Sequence, residues 1–286
     1  MSGPADLYAV AANPVAHSLS PRIHARFATE AGQNLHYGRF LVPENGFSAC
    51  ARAFFAAGGR GLNVSVPFKS DAAALADSPS PRVLLAGAAN TLWIERGRLV
   101  AENTDGSGLV RDLRERHRID LAGRALILIG AGGAARGVIG PLCEAGVSTV
   151  LIANRTLANA RVLAGTFAGH GGVSACALDD LSDALPLAPT RRWLVVNASA
   201  ASLAGARLRL PERLFAGAEV CYDMMYGARP TPFMAQALAA GCVKVHDGLG
   251  MLVEQAADAF ACWRGVRPRT RSIYRDLRHE LAAAAG

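Results

Sequence analysis

The chain has 286 residues, 51% of them hydrophobic, with a formal net charge of +7; that length exceeds one ordinary domain of roughly 100–200 residues, so two domains or one large α/β unit are expected. No apolar run approaches the roughly 18 residues that span a bilayer, no signal peptide is legible in Met1-Ser2-Gly3-Pro4-Ala5-Asp6, and the basic residues never gather into the run or patch of a nucleic-acid surface. These features point to a soluble, cytoplasmic protein that binds neither membrane nor nucleic acid, and they leave monomer and homodimer both open.

The six cysteines, Cys50, Cys143, Cys176, Cys221, Cys242 and Cys262, lie far apart, with no Cys-x-x-Cys pair and no histidine cluster. They are expected to be reduced core thiols, with no metal site and no disulfide framework.

Along the chain, strand-length apolar runs alternate with segments of helical spacing, which is an α/β pattern. Strands are expected at 7–10, 39–42 and 62–66, separated by helices around 21–31 and 44–57. In the first helix Ile23 and Phe27 share a face, as do Phe47, Ala51 and Phe54 in the second. Residues 90–95 and 99–103 suggest two strands joined at Arg96-Gly97-Arg98. An amphipathic helix over 109–118 leads to Ala125-Leu126-Ile127-Leu128-Ile129, an uninterrupted apolar run suited to a strand buried on both faces of a parallel sheet. Further strands are expected near 149–153, 174–177, 193–197, 219–223 and 243–245. A final helix over 248–263 places Leu252, Ala256, Ala259, Phe260 and Trp263 on one face.

The run ending at Ile129 passes directly into Gly130-Ala131-Gly132-Gly133-Ala134-Ala135, a G-x-G-x-x-A pattern, and then into helical spacing through Val138, Ile139 and Leu142. A glycine pattern alone is weak. Between a strand and a helix it is the arrangement in which backbone N–H groups and a helix N-terminus hold a pyrophosphate. At the end of the next strand an NAD enzyme would place Asp or Glu against the ribose hydroxyls. Here Asn154-Arg155-Thr156 stands instead, and Arg155 can pair with a 2′-phosphate and stack on adenine. The expected cofactor is NADP.

Four further segments place polar side chains where a strand gives way to a turn, the usual ligand-binding position in α/β proteins. They are His17-Ser18-Leu19-Ser20-Pro21, Asn63-Val64-Ser65-Val66-Pro67-Phe68-Lys69, Gly87-Ala88-Ala89-Asn90-Thr91-Leu92 and Asn103-Thr104-Asp105-Gly106. Ser20 before Pro21 is a helix N-cap signal, and Asp105 could cap the helix after Gly106. Of the 30 basic residues only Lys69 and Lys244 are lysines, so a lysine at the mouth of a crevice argues for a task arginine cannot perform. Proton transfer is one, because an ammonium can be tuned toward neutral pH while a guanidinium stays charged.

With Tyr222-Asp223-Met224-Met225-Tyr226 and Asp247-Gly248-Leu249-Gly250-Met251-Leu252-Val253-Glu254-Gln255, these segments resemble the shikimate dehydrogenases in order and spacing from about Tyr8 to Trp263. The resemblance implies an NADP-dependent oxidoreductase that interconverts shikimate and 3-dehydroshikimate, a step toward chorismate and the aromatic amino acids. It implies a catalytic pair, Lys69 and Asp105, and substrate contacts from Ser18, Ser20, Ser65, Lys69, Asn90, Asp105, Tyr226 and Gln255. In the family the two serines and the tyrosine hold the substrate carboxylate. Cofactor contacts are implied at Gly130, Ala131, Gly132, Gly133, Ala134, Asn154, Arg155, Thr156, Ser199, Met224, Gly248 and Met251, with no metal. The expected architecture is an N-terminal α/β substrate domain and a Rossmann-type doubly wound dinucleotide domain over 106–248. The last helices return to the first domain, which comprises 1–105 and 249–286.

Three departures from the family pattern stand out. Ser65 replaces a common threonine, Ala200-Ala201-Ser202 replaces a glycine-containing loop after Ser199, and Asn159 stands where some NADP-dependent members carry a second arginine. Ser65 bears on a broader quinate/shikimate or aminoshikimate dehydrogenase as the alternative. A folate-linked methylene dehydrogenase also has two domains and a catalytic lysine, but lacks the serine pair and Asn103-Thr104-Asp105-Gly106. A non-catalytic NADP-binding sensor is the alternative of another class.

Overall fold

The computed structural model describes residues 4–185, 193–201 and 205–284. Ser202, in the loop singled out above, lies outside them. The chain divides into two compact units, Met1–Gly108 with Leu252–Arg275, and Leu109–Met251 with Asp276–Gly286. No helix among the described residues is long and apolar enough to cross a membrane.

The first unit opens with β1 (Asp6–Ala12), α1 (Ser20–Ala31), β2 (Leu35–Leu41), α2 (Phe47–Ala56), β3 (Gly59–Val64) and α3 (Lys69–Leu75). It continues with β4 (Ser78–Pro79), α4 (Pro81–Ala86), β5 (Thr91–Glu95), β6 (Arg98–Glu102) and the start of α5 (Asp105–Arg111). Its sheet has the order β2-β1-β3-β5-β6-β4. β1 pairs in parallel with β2 and β3, whereas β5 is antiparallel to both β3 and β6. The β5–β6 turn closes through Arg96 and Gly97, both at positive φ, the backbone of a tight two-residue hairpin loop. Ile23 and Phe27 of α1 are fully buried, and Leu62, Phe68, Leu92 and Ala101 anchor the core between the sheet and its helices.

The second unit continues from α5 through a wider π turn (Asp112–Arg116) to β7 (Ala125–Ile129), α6 (Gly133–Glu144), β8 (Thr149–Asn154), α7 (Leu157–Thr166), β9 (Val173–Ala177) and α8 (Leu181–Ala184). It ends with β10 (Trp193–Asn197), α9 (Glu212–Ala216), β11 (Ala218–Asp223), α10 (Pro232–Ala239) and β12 (Lys244–Asp247), before α11 (Leu249–Arg264) and α12 (Arg271–Ala283). Its sheet is parallel throughout, in the order β12-β11-β10-β7-β8-β9. Relative to its first strand, β7, that is the doubly wound order 3-2-1-4-5-6. Burial on both faces explains why β7 and β10 read as uninterrupted apolar runs.

The two C-terminal helices differ in where they dock. The body of α11 belongs to the first unit. Trp263 stacks on Tyr8 with ring centroids 4.9 Å apart and its indole N–H donates to the Leu92 carbonyl at 3.2 Å. The end of α12 belongs to the second unit, where Arg278 is bonded to Asp247. This division places 106–108 with the first unit and 249–251 and 276–286 with the second, where the expected boundaries had the reverse. Cys262 is also exposed, not part of a core.

Replacing Trp263 with Ala should remove the Tyr8 contact and the Leu92 hydrogen bond together, destabilising the first unit by about 3 kcal/mol. Denaturant unfolding followed by circular dichroism measures this, and an unchanged midpoint would show that α11 does not hold the first unit together.

Candidate active site

Lys69 begins α3 and Asp105 begins α5, each one short segment beyond a strand of the first sheet. The Lys69 ammonium donates to Asp105 Oδ2 at 2.5 Å, and the two side chains are only 13% and 6% exposed. Asp105 is not the cap of its helix. The Asn103 side chain accepts from the Asp105 N–H at 3.1 Å, which frees the Asp105 carboxylate to face Lys69, and Asn103 is itself held by the Ala88 carbonyl at 2.8 Å.

Asn90, 2% exposed, joins the pair to the rest of the site. Its Oδ1 accepts from the backbone N–H of Thr104 at 2.9 Å. A backbone N–H can only donate, so this contact fixes the amide orientation. The Nδ2 group then faces Asp105 Oδ1 at 3.0 Å, Thr104 Oγ1 at 2.9 Å and Gln255 Oε1 at 3.1 Å. Gln255 is oriented by its own bond to the Leu252 carbonyl at 2.8 Å.

Asn63 extends this network across the sheet. It donates to the Asn90 carbonyl at 3.1 Å and to Thr91 Oγ1 at 3.2 Å, and accepts from the Tyr37 hydroxyl at 2.7 Å. Burial pushes the Tyr37 phenol well above its usual range, with the Ser20 hydroxyl pulling the other way. A buried string of polar groups thus runs from Ser20 to Asp105. The sequence reading assigned no role to Tyr37, Asn63, Thr91 or Thr104. An asparagine inside an apolar strand, where its type is disfavoured, was the available signal for Asn63; Tyr37 carries none.

Ser18 and Ser20 lie at the start of α1. Contrary to the capping signal, Ser20 is the first helical residue, and Leu19 occupies the cap position without a side-chain cap bond of its own. Ser18 Oγ accepts from the Ser20 N–H at 3.3 Å, which brings both hydroxyls to the positive end of the helix dipole. Ser65 is half-buried just beyond β3. The site residues that the first unit brings into one bonded network are Lys69, Asp105, Asn90 and Gln255, with Ser20 reached through Tyr37. Tyr226 and Met251 belong to the second unit.

In the second unit the order of strands reverses between β7 and β10, where Ile129 and Asn197 are register partners. Gly130 follows at φ +106°, and a Cβ there would stand 3.1 Å from the Ser199 nitrogen, so the loop after β10 lies directly against the glycine turn. Ser199 is held by Asn197, its hydroxyl donating at 2.7 Å. Gly132 caps α6 in an extended conformation, with no side-chain cap and no acidic residue in the first turn. A Cβ on Gly132 would meet nothing within 4 Å. These residues fit a dinucleotide: the first helical N–H groups are uncapped, approachable and uncontested by negative charge. At the end of β8 the Asn154 side chain donates to the Thr156 carbonyl at 2.9 Å, a turn that leaves Arg155 exposed, and α7 has no acidic residue in its first turn. Across from it, Gly248 packs so closely that a Cβ would fall 2.1 Å from the Met224 carbonyl oxygen.

Family models match the chain in three stretches: a shikimate dehydrogenase substrate-binding domain at residues 10–92, a shikimate/quinate 5-dehydrogenase domain at 112–191 and a shikimate 5'-dehydrogenase C-terminal domain at 248–278. The NADP(+) shikimate dehydrogenase of Alkalilimnicola ehrlichii is 50% identical, covering 96% of this chain and 99% of its own. That of Halorhodospira halophila is 52% identical, covering 96% and 98%. Among solved structures, the shikimate 5-dehydrogenase of Thermus thermophilus in complex with NADP(H) and shikimate superposes with a TM-score of 0.82 at 35% identity, covering 96% of this chain and 100% of that one.

Gly132→Ala is the substitution that separates fold from binding. Its backbone is allowed to any residue and its surroundings are open, so thermal stability should stay at the wild-type level while a methyl group obstructs phosphate approach to the helix. A fluorescence titration with dinucleotide should show affinity weakened by at least about tenfold, as for loss of a charge-assisted contact; wild-type affinity would place the pyrophosphate elsewhere.

Proposed function

The chain belongs to the shikimate dehydrogenase family, and on that premise we propose that it is an NADP-dependent shikimate dehydrogenase, catalysing the reversible oxidation of shikimate to 3-dehydroshikimate. The observation that carries this reading is the Lys69–Asp105 pair, two nearly buried opposite charges 2.5 Å apart with the carboxamide of Asn90 on the other carboxylate oxygen.

Oxidation of a secondary alcohol to a ketone removes a hydride from carbon and a proton from oxygen. NADP+, when bound, accepts the hydride. In its neutral amine form Lys69 takes the hydroxyl proton and becomes the ammonium that pairs with Asp105; in the reverse direction that ammonium returns the proton to the carbonyl oxygen. Asp105 holds the Lys69 amine in place and binds the reacting hydroxyl, while Asn90, Ser65 and Gln255 bind the neighbouring ring hydroxyls. Ser18 and Ser20, at the N-terminus of α1, hold the substrate carboxylate, with Tyr226 as a third donor. These assignments make the first unit the substrate-binding part.

The second unit binds the cofactor. Gly130, Ala131, Gly132, Gly133 and Ala134 carry the pyrophosphate at the N-terminus of α6. Asn154, Arg155 and Thr156 form the 2′-phosphate pocket, and Ser199, Met224, Gly248 and Met251 line the nicotinamide side. Asn159 and Arg161 are exposed on α7, leaving Arg155 as the guanidinium placed directly at the strand end.

The direct test follows nicotinamide absorbance when the purified chain meets NADP+ with shikimate or with quinate. Reduction with shikimate is expected, and none with either acid would overturn the assignment. Lys69→Arg keeps the charge but cannot release a proton at working pH, so kcat should fall by about 10²–10⁴-fold while NADP+ affinity holds. An Arg variant retaining more than about a tenth of wild-type kcat, outside that range, would make Lys69 only a positional charge. Arg155→Asp should lower the NADP-over-NAD ratio of kcat/KM by about ten- to a hundredfold, the equivalent of one charge-assisted hydrogen bond. An unmoved ratio would remove Arg155 from cofactor choice.

A further inference from the structure

Two helices of the proposed site meet at unusually close range within the first unit. A Cβ on Gly108, in the first turn of α5, would lie 2.8 Å from both the backbone nitrogen and the Cβ of Gln255 on α11. Only a glycine lets these backbones approach so closely. That approach brings the Gln255 carboxamide to the same Asn90 amide that contacts Asp105, at 3.1 and 3.0 Å.

Beside this contact stands a charged brace. Ser107, adjacent to Gly108, donates its hydroxyl to Asp258 Oδ2 at 2.6 Å, with the Thr104 carbonyl as the longer alternative acceptor at 3.0 Å. Asp258 lies one turn beyond Gln255 on the same helix. Its other oxygen accepts from Arg267 Nε at 2.7 Å, and Arg267 also donates through Nη2 to Glu254 at 2.6 Å. Arg267 lies beyond the end of α11. It doubles back to bridge two carboxylates four residues apart, one of them 5% exposed. This pins the Asp258 carboxylate so that its Oδ2 faces Ser107.

We propose that Ser107, Asp258 and Arg267 are positioning residues for the reaction, setting the distance between α5 and α11 and hence between Asp105 and Gln255. None of them is bonded to Lys69 or Asp105. Their effect is on spacing: the Asn90 amide satisfies Asp105 and Gln255 together only while the two helices stay in register. The two residues then present their polar groups to neighbouring hydroxyls of the substrate ring at a fixed separation. This inference rests on the proposed function, since it takes Asp105 and Gln255 as substrate contacts.

The test is a kinetic cycle of Ser107→Ala, Asp258→Ala and the double variant, with Ser107→Thr as the variant that keeps the hydroxyl and Arg267→Ala as one that loosens Asp258 from its more exposed side. The two single alanine variants should each lower kcat/KM for shikimate by about ten- to a hundredfold, the cost of misplacing reacting groups by an ångström or less. The double variant should be no worse than the poorer single, because both break one interaction. Ser107→Thr should recover most of the loss. Arg267→Ala should fall in the same direction. KM for NADP+, and its affinity by fluorescence titration, should stay at wild-type values. A Ser107→Ala enzyme with wild-type kinetics, additive losses, or an equal rise in KM for NADP+ would overturn the inference, as would a drop in thermal stability with kinetics unchanged. If the wild-type chain itself fails to reduce NADP+ with shikimate, the proposed function falls and this inference with it; an active wild type beside an unperturbed Ser107→Ala enzyme defeats this inference alone.

Discussion

A carboxylate that water scarcely reaches is tolerated only where donors converge on it, because the desolvation of an anion is repaid by nothing weaker than charge and well-aimed hydrogen bonds. Asp105 meets that requirement through Lys69 on one oxygen and Asn90 on the other. Each of those groups needs fixing in turn. Thr104 N–H sets the Asn90 amide, and Asn103 takes the capping duty that would otherwise compete for the Asp105 side chain. The mixed sheet of the first unit serves this requirement. β3 and β6 end near one another through β5, so that the helices beginning at Lys69 and Asp105 start side by side.

Such an arrangement contributes little to stability, since a buried ion pair seldom outperforms an apolar packing of the same volume. Its value lies in chemistry. A pair held this firmly, in a unit with its own apolar core, stays in place without waiting for a ligand to organise it, as the proposed proton transfer requires. The buried string through Asn63, Tyr37 and Ser20 extends the same logic to the start of α1, where the positive end of a helix dipole suits an anionic group.

In the second unit the governing constraint is the parallel sheet. Parallel strands need crossovers, and the crossovers place helix N-termini at the carboxyl ends of the strands. Where the strand order reverses between β7 and β10, the loop after β10 lies against Gly130, and the helix N-terminus that follows the glycine turn is a feature suited to an anion.

Much of this was legible in the linear sequence. The uninterrupted run 125–129 announced a buried strand and the glycines after it a turn into a helix, because each depends on residues adjacent in the chain. Lys69 stood out because arginine dominates the basic residues. The sequence could not show that Ser20 starts its helix without capping it, since Leu19 and Ser20 are separated by a single residue of backbone conformation. Nor could it show that Asn63 and Tyr37 join Ser20 to Asp105, that Gly108 admits Gln255, or that the end of α12 docks by Arg278 on Asp247. Those are contacts between positions from 17 to about 150 residues apart, and only the folded chain, which closes those loops and removes water from the groups inside them, decides which polar side chains must satisfy one another.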